Sequence, residues 1–402
     1  MRPFTSTISL EEARRALSDA AVPISRTERV PLGDAAGRVA ARDITSPIDV
    51  PPFPRSAMDG YAVLSRDTSA ASRAAPARLR VVERIFTGQM PKTTIASGMC
   101  AEIATGAPIP SGADAVVMVE ETAAAGQSEV SIFVRAAAGQ NISPRGADIV
   151  RGTPVVRSGD VLTASRVGAL AAVGCVDVEV YARPRVAILS TGNEVIVPGQ
   201  PLAPAQIYDV NRFTLAAIVS AHGGAPVPHA AVPDALDALT AALDRASAAD
   251  IIVFSGGSSV GERDLILDLV AARGEMLFHG VAIKPGKPTA FARIGGKPFF
   301  GMPGNPTSCL SNAYVLLVPF LRATARLPAY IARTVRVPLG RRIASASGRH
   351  TFYTVRIEEG KAFPAFKGSG AITSLSHADG YIEIAADQNA VDEGALVDVT
   401  LF

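Results

Sequence analysis

The stretch RPRVAILSTGNE, residues 183–194, decides the fold. Its apolar run at 186–189 is too short for a helix, and Pro184 and a Ser-Thr-Gly-Asn turn bound it, so it reads as a buried strand. The pattern that begins there repeats downstream. A loop leads to a helical pattern at 210–222, which stops at Gly223 and Gly224. A strand at 227–231 precedes a helix at 235–246, and a strand at 251–254 precedes a helix at 262–272. Hairpin-like strands follow within 280–302, and then a helix at 306–323. Strands alternating with helices imply βαβ units, hence a doubly wound, mainly parallel α/β sheet with helices on both faces.

Working outward, the flanks have a different character. The N-terminal part carries a capping box, Ser9 to Glu12, opening a helix. Near Ser46 the helical pattern gives way to PIDVPPFP, with four prolines in eight residues, which marks a boundary or a rigid exposed loop. Short β-type runs such as LRVVERIF, DAVVMVE and SEVSIFV follow, separated by Gly and Pro turns. A second helical passage at 158–174 is expected to pack back on the first. The chain therefore divides into a split, elongated helical domain (1–47 and 144–178), an inserted small β domain (48–143), the α/β domain (179–327) and a C-terminal β domain (328–402).

Composition narrows the function classes. The 402 residues are 48% apolar and 19% charged, which suits folded domains rather than disorder. A net charge of +2 gives no electrostatic footprint for nucleic acid, so an anion site must be local. Three widely spaced cysteines and five histidines form neither CxxC nor HExxH spacing. Reduced thiols, no secretory apolar core near the start and no membrane-length apolar run lead to the expectation of a soluble, cytoplasmic protein.

In an open α/β sheet the ligand crevice lies beyond the carboxyl ends of the strands. The first of these loops is Ser190-Thr191-Gly192-Asn193-Glu194. The second is SGGSSVGERD, where Ser255, Gly256, Gly257, Ser258 and Ser259 offer hydroxyls and close backbone approach. The third is Pro303-Gly304-Asn305-Pro306, with Asn305 as an N-cap and Ser308 in the first helical turn. Between them lies KPGKP. Lys284 and Lys287, strongly hydrated ammonium groups among apolar flanks, are explained if they serve an oxyanion at these turns. Neither a Walker loop nor a GxGxxG fingerprint is present. Glu194, Asp264 and Asp209 are of the type that holds Mg2+ with substrate phosphates. Asp234 serves equally well as an N-cap, and Asp250 reads as structural.

Eight motifs in order, PPFPRSAMDGYAV, TGAPIPSGADAVV, GQNISPRGADI, STGNE, SGGSSVGERD, KPGKP, PGNPTS and GSGAITSLSHADG, together resemble the molybdopterin molybdenumtransferases of molybdenum-cofactor biosynthesis, which include the E domain of gephyrin. The resemblance implies the four-part fold above and an elongated homodimer whose site is shared between subunits. It also implies a Mg2+-dependent reaction in which adenylylated molybdopterin and molybdate give molybdenum cofactor and AMP. An upstream adenylyltransferase and downstream molybdoenzymes would then be partners, with neither nucleic acid nor membrane involved.

By the same resemblance, Asp59, Thr105, Asp148, Glu194, Asp234 and Asp264 take catalytic positions, with Glu194 and Asp264 on the metal. Lys284, Lys287 and Ser308 match anion-binding turns, and Arg356 and Ser369 match positions that hold molybdate. One departure is Gly280, with His279 beside it, where several relatives carry a basic residue four positions before Lys284. Two other readings share the fold: a molybdopterin adenylyltransferase, and a non-enzymatic scaffold.

Overall fold

The computed structural model describes residues 7–256, 265–345 and 348–402. They form two compact units, one of Met1–Glu28, Gly37–Val39 and Val180–Phe402, the other of Arg29–Ala36 and Ala40–Glu179. Among the described residues no helix is long and apolar enough to cross a membrane.

The first unit is built on a six-stranded sheet in the order Ala225–Pro228, Arg185–Ser190, Ile251–Ser255, Lys297–Met302, Ala290–Ile294, Gly274–His279. The first four strands run parallel, Ala290–Ile294 runs antiparallel to them, and Gly274–His279 runs antiparallel to Ala290–Ile294. Side chains alternate across the pleat, so each central strand feeds two cores. Val186, Ile188, Ile251, Val253 and Phe300 enter one cluster with helix Asn211–Ala221. Ala187, Leu189, Ile252, Phe254 and Phe299 enter the other, beneath helices Leu236–Arg245 and Leu265–Arg273. Residues 186–189, read as one apolar run, are apolar at every position because both faces are covered.

The expected helix at 306–323 is three pieces: Pro306–Asn312, a wide π turn at Ala313–Leu317, and Val318–Thr324. Pro319 supplies the reason, since it offers no N–H and its ring crowds the preceding turn. Residues 257–264, which include the expected start of the helix at 262, lie outside the described residues.

The N-terminal helix, Leu10–Ala20, belongs to the α/β core. Its capping box forms as expected: the Ser9 amide donates to Glu12 at 2.7 Å, and the Glu12 amide donates to Ser9 Oγ at 3.1 Å. Leu10, Ala13, Leu17 and Ala20 make its apolar stripe, and they pack in the same cluster as Val186 and Phe320. The sequence reading grouped this helix with the second helical passage. That passage, Ala164–Ala172, is in the other unit. A stripe of this kind states that a helix must dock but not on what.

A C-terminal sheet completes the first unit, in the order Ile283–Lys284, His350–Glu358, Gly380–Ile384, Leu396–Leu401, Thr334–Pro338. Its edge strand is the start of the KPGKP segment, running parallel with Ile283 opposite His350 and Lys284 opposite Thr351. The lysine loop is thereby tied into the C-terminal sheet.

The second unit holds a six-stranded sheet in the order Ala115–Met118, Gly60–Val63, Met99–Ile103, Ala77–Ile85, Glu129–Ile132, Thr122–Ala124. Val63, Cys100, Ala115 and Val117 face one cluster, while Ala62, Ala101, Ile103 and Val116 face the other. The short β-type runs are thus strands of one sheet whose side chains alternate between its two faces.

Docking of the N-terminal helix is testable by truncating its most central leucine. Leu17, 3% exposed, should cost about 2–4 kcal/mol when replaced by alanine. Urea unfolding should show the transition of the α/β unit moving to lower denaturant. An unchanged transition would mean that the helix contributes nothing to that core.

Candidate functional site

The carboxyl ends of the parallel strands open into a cleft of about 1760 Å3. Three crossing loops build its floor. Ser190 stands opposite Ser255, and Ser255 opposite Met302, so the loops that follow start side by side. The Thr191 amide donates to the Ser255 carbonyl at 2.9 Å. Gly256 has φ +113, and a Cβ there would lie 2.5 Å from the Thr191 carbonyl oxygen, so only glycine lets the loops meet.

Asn211 clamps the floor from the first turn of its helix. Its Nδ2 donates to Ser255 Oγ at 2.7 Å and to the Gly304 carbonyl at 2.8 Å. Asp209, two residues earlier, accepts from the Arg212 amide at 3.0 Å through Oδ1. Among the described residues, Ser190 Oγ, Thr191 Oγ1, Asp209 Oδ2 and Asn211 Oδ1 are buried without a hydrogen-bond partner. All four residues line the cleft. Each unpaired buried polar atom costs about 1–3 kcal/mol, and such a concentration at one cleft is what a polar ligand or bound water would relieve.

Most residues singled out from the sequence meet here. Ser190, Thr191, Gly192 and Glu194 line the cleft from the first loop, and Asp234 from the loop after the edge strand. Ser255 and Gly256 come from the second loop, Pro303, Gly304, Asn305 and Ser308 from the third. Lys284, Lys287 and Ser369 complete the set. Gly257, Ser258, Ser259 and Asp264 lie outside the described residues.

Two side chains behave differently from their expected capping roles. Asn305 occupies the N-cap position of Pro306–Asn312 without a side-chain capping bond. Its Nδ2 instead donates to Ser369 Oγ at 3.3 Å, while the Thr307 amide donates to the Ser369 carbonyl at 3.0 Å. The serine loop of the C-terminal domain is thus bolted to the third strand-end loop. Helix Leu236–Arg245 starts with Ala235 at the N-cap and no side-chain cap, so Asp234 does not serve the helix. Asp250 is structural, as read: it accepts both Arg26 Nη atoms at 3.1 and 3.0 Å and the Arg185 amide at 2.7 Å.

The lysine loop is held by a residue that the motifs did not flag. Asn312, fully buried in the helix, donates through Nδ2 to the Gly286 carbonyl at 2.8 Å and also to Thr289 Oγ1. Gly286 has φ +97, and a Cβ would sit 2.2 Å from Asn312 Nδ2. An asparagine inside the apolar run LSNAYVLL was the available signal, because a buried amide needs partners.

Arg356 is not among the lining residues. It is half-exposed, and its Nε pairs with Glu358 at 2.7 Å. The reason is the pleat: Thr351 faces the same side as its partner Lys284, and Arg356, five residues on, faces the other. Arg349 lines the cleft instead.

Asp59, Thr105 and Asp148 lie in the second unit. The Thr105 amide donates to Asp59 Oδ1 at 2.7 Å, so these two are brought together. Asp148 is exposed and held by its own amide on the Val50 carbonyl at 3.0 Å. The carboxylate that organises that loop is Asp49, which accepts Arg145 Nε at 2.6 Å and the Arg151 amide at 2.8 Å.

Cys309 lies under the floor, 3.9 Å from Ser255 Oγ, and burial pushes its thiol up to about 12. Burial does the same for Cys100. Neither is a thiolate near neutral pH, so neither is a ready nucleophile.

Three family models cover the chain: the MoeA N-terminal region (domain I and II) over residues 8–174, a probable molybdopterin binding domain over 187–323, and the MoeA C-terminal region (domain IV) over 336–402. Molybdopterin molybdenumtransferase 2 of Mycobacterium tuberculosis is 35% identical over 401 residues, with 97% of this chain and 98% of that protein aligned. The molybdopterin molybdenumtransferase of Haemophilus influenzae is 31% identical, covering 98% of each. The crystal structure of the molybdopterin biosynthesis MoeA protein of Pyrococcus horikoshii superposes with a TM-score of 0.83 at 40% identity, over 98% of this chain and 99% of that one.

Two expectations follow from this geometry. In native protein at pH 8, a thiol reagent should modify only Cys175, and all three cysteines after denaturation; rapid native labelling of Cys309 would contradict its burial. Gly286→Ala should cost about 1–3 kcal/mol in urea unfolding, because the added methyl forces the lysine loop off Asn312. An unchanged transition would show that Asn312 does not hold the loop.

Proposed function

The chain belongs to the molybdopterin molybdenumtransferase family, and from that premise we propose that it inserts molybdenum from molybdate into adenylylated molybdopterin, releasing AMP. The observation that carries this reading is the cleft itself. Cations at Lys284 and Lys287 and carboxylates at Glu194, Asp209 and Asp234 line one cavity at the carboxyl ends of the parallel strands. Phosphate-bearing and oxyanion substrates require positive charge for binding, and their transfer chemistry requires charge to be balanced as bonds break.

In this scheme the strand-end loops receive the phosphate and pterin portions of the substrate. Lys284 and Lys287 gather molybdate beside the dithiolene, with Ser308 and Ser369 as hydroxyl partners. The two dithiolene thiols displace one oxo group of molybdate, whose oxygen leaves with their protons as water. Water attacks the adenylyl phosphorus and breaks the P–O–P bond, so that AMP leaves with no change in the metal's oxidation state. Catalysis is positioning plus electrostatics, with no covalent protein nucleophile.

Among the described residues no three His, Cys, Asp or Glu side chains converge on one point. The carboxylates that line the cleft, Glu194, Asp209 and Asp234, are nonetheless of the type that suits Mg2+, which uses one or two carboxylates and takes its other ligands from phosphate and water. Glu194 and Asp264 would hold it, and it would neutralise charge at the bridging phosphate. Asp59 and Thr105, paired in the second unit, and Asp148 would act in the same reaction within a homodimer.

The decisive assay supplies purified protein with adenylylated molybdopterin, Mg2+ and molybdate, and follows AMP release and activation of a molybdenum-free apo-enzyme. AMP should appear only with molybdate, and Glu194→Gln should lower kcat about 100-fold. ATP consumption without a molybdate requirement would assign the chain to adenylyl transfer instead.

A further inference from the structure

Beside the cleft lies a second cavity, of about 250 Å3. Helices Asn211–Ala221 and Pro306–Asn312 and the short C-terminal helix Thr373–Ser376 contribute to its walls. Val210, Pro306 and Ile372 line both spaces, so cavity and cleft share a wall.

The chemistry of the two spaces differs. No charged side chain among the described residues lines the smaller one, which takes its surface from Leu310, Tyr314, Leu375 and Phe402. Thr214 and Thr307 also line it, but their hydroxyls are already used. Thr214 Oγ1 donates to the Asn211 carbonyl at 3.1 Å, and Thr307 Oγ1 to the Ala371 carbonyl at 2.9 Å. What these threonines can offer a ligand is a methyl group. Tyr314 comes from the π turn Ala313–Leu317, a wide turn of the kind frequent at functional sites. Its ring lies 5.4 Å from that of Phe402, which in turn lies 5.8 Å from that of Tyr381. One wall is therefore aromatic and braced from behind.

The cavity is open to solvent. Ile372 and Phe402, which line it, are 50% and 40% exposed, and large apolar side chains gain when a partner removes them from water. Ser376 is exposed at the same place, and its hydroxyl makes no hydrogen bond among the described residues. An apolar space of about 150 Å3 already accepts a benzene ring, so this one has room for two fused rings. Concave, mostly apolar, with one free polar group: these are the properties of a small-molecule site.

We propose that this cavity is a second ligand site, for a small uncharged aromatic molecule carrying one hydrogen-bonding group. The rings would lie against Tyr314 and Phe402, and the polar group would meet Ser376. The site is independent of the reaction proposed above, although its occupant would touch the wall shared with the cleft.

The test uses the full chain and indole. The chain has no tryptophan, so indole fluorescence reports its own burial. A saturable blue shift is expected on titration with protein. Ala378→Phe and Ser376→Phe, each placing a ring in the space, should weaken binding about tenfold or more while circular dichroism stays unchanged. A crystal soaked with 5-bromoindole reads the same site without any substitution, and its anomalous peak should lie between Tyr314 and Leu375. Absence of saturable binding, equal binding by both variants, or a bromine peak only elsewhere would each overturn the proposal. If indole fails to bind and both variants lose self-association in sedimentation, the cavity belongs to a second copy of the chain instead.

Discussion

A pair of residues joins the chemistry to the scaffold: Ile283 and Lys284, hydrogen-bonded in parallel to His350 and Thr351. The segment leaves the α/β sheet after Gly274–His279, lends one short edge strand to the C-terminal sheet, and returns as Ala290–Ile294. The cationic wall of the cleft is thus made where a connection of the α/β sheet supplies the edge strand of the C-terminal sheet. Asn312 holds the far side of the same loop through the Gly286 carbonyl. An ammonium group gains binding power when its position is set before the anion arrives, because less entropy is lost on binding. The two anchors supply that preorganisation.

The opposite wall follows from ordinary α/β construction. Strands buried on both faces end together at their carboxyl ends, and the loops that cross there need glycine where backbones meet, as at Gly256. Asn211 ties two of those loops to each other. The floor is consequently rigid, while several of its polar atoms have no partner within the described residues. Rigidity with unmet hydrogen-bonding capacity is the signature of a surface shaped for a ligand and not for stability alone.

Much of this was readable in advance, and the reason is local. A βαβ unit advertises itself through short β-type runs, glycine-bounded helices and strand-end loops, all within contiguous sequence, so Arg185–Ser190 and Ile251–Ser255 were found nearly to the residue. What escaped depends on contacts between distant segments. Leu10–Ala20 was recognised as a helix, but its stripe could not name the α/β core as its partner. Arg356, named by resemblance, does not line the cleft, and the parity of a pleated strand is the reason; no periodicity in the sequence reveals which face of a strand meets a distant loop. Asn312 was hidden in an apolar run read as one continuous helix, which the structure breaks with a π turn immediately after it.

The central claim is that anion binding in this cleft is organised by the lysine loop, which the C-terminal sheet and Asn312 hold in place. Tungstate scatters strongly and has the shape and charge of molybdate, so a crystal soaked with it locates the anion directly by anomalous diffraction. The account predicts one principal peak in the cleft, beside the lysine loop of Lys284 and Lys287. A principal peak away from that loop, with the cleft occupied only by solvent, would contradict it.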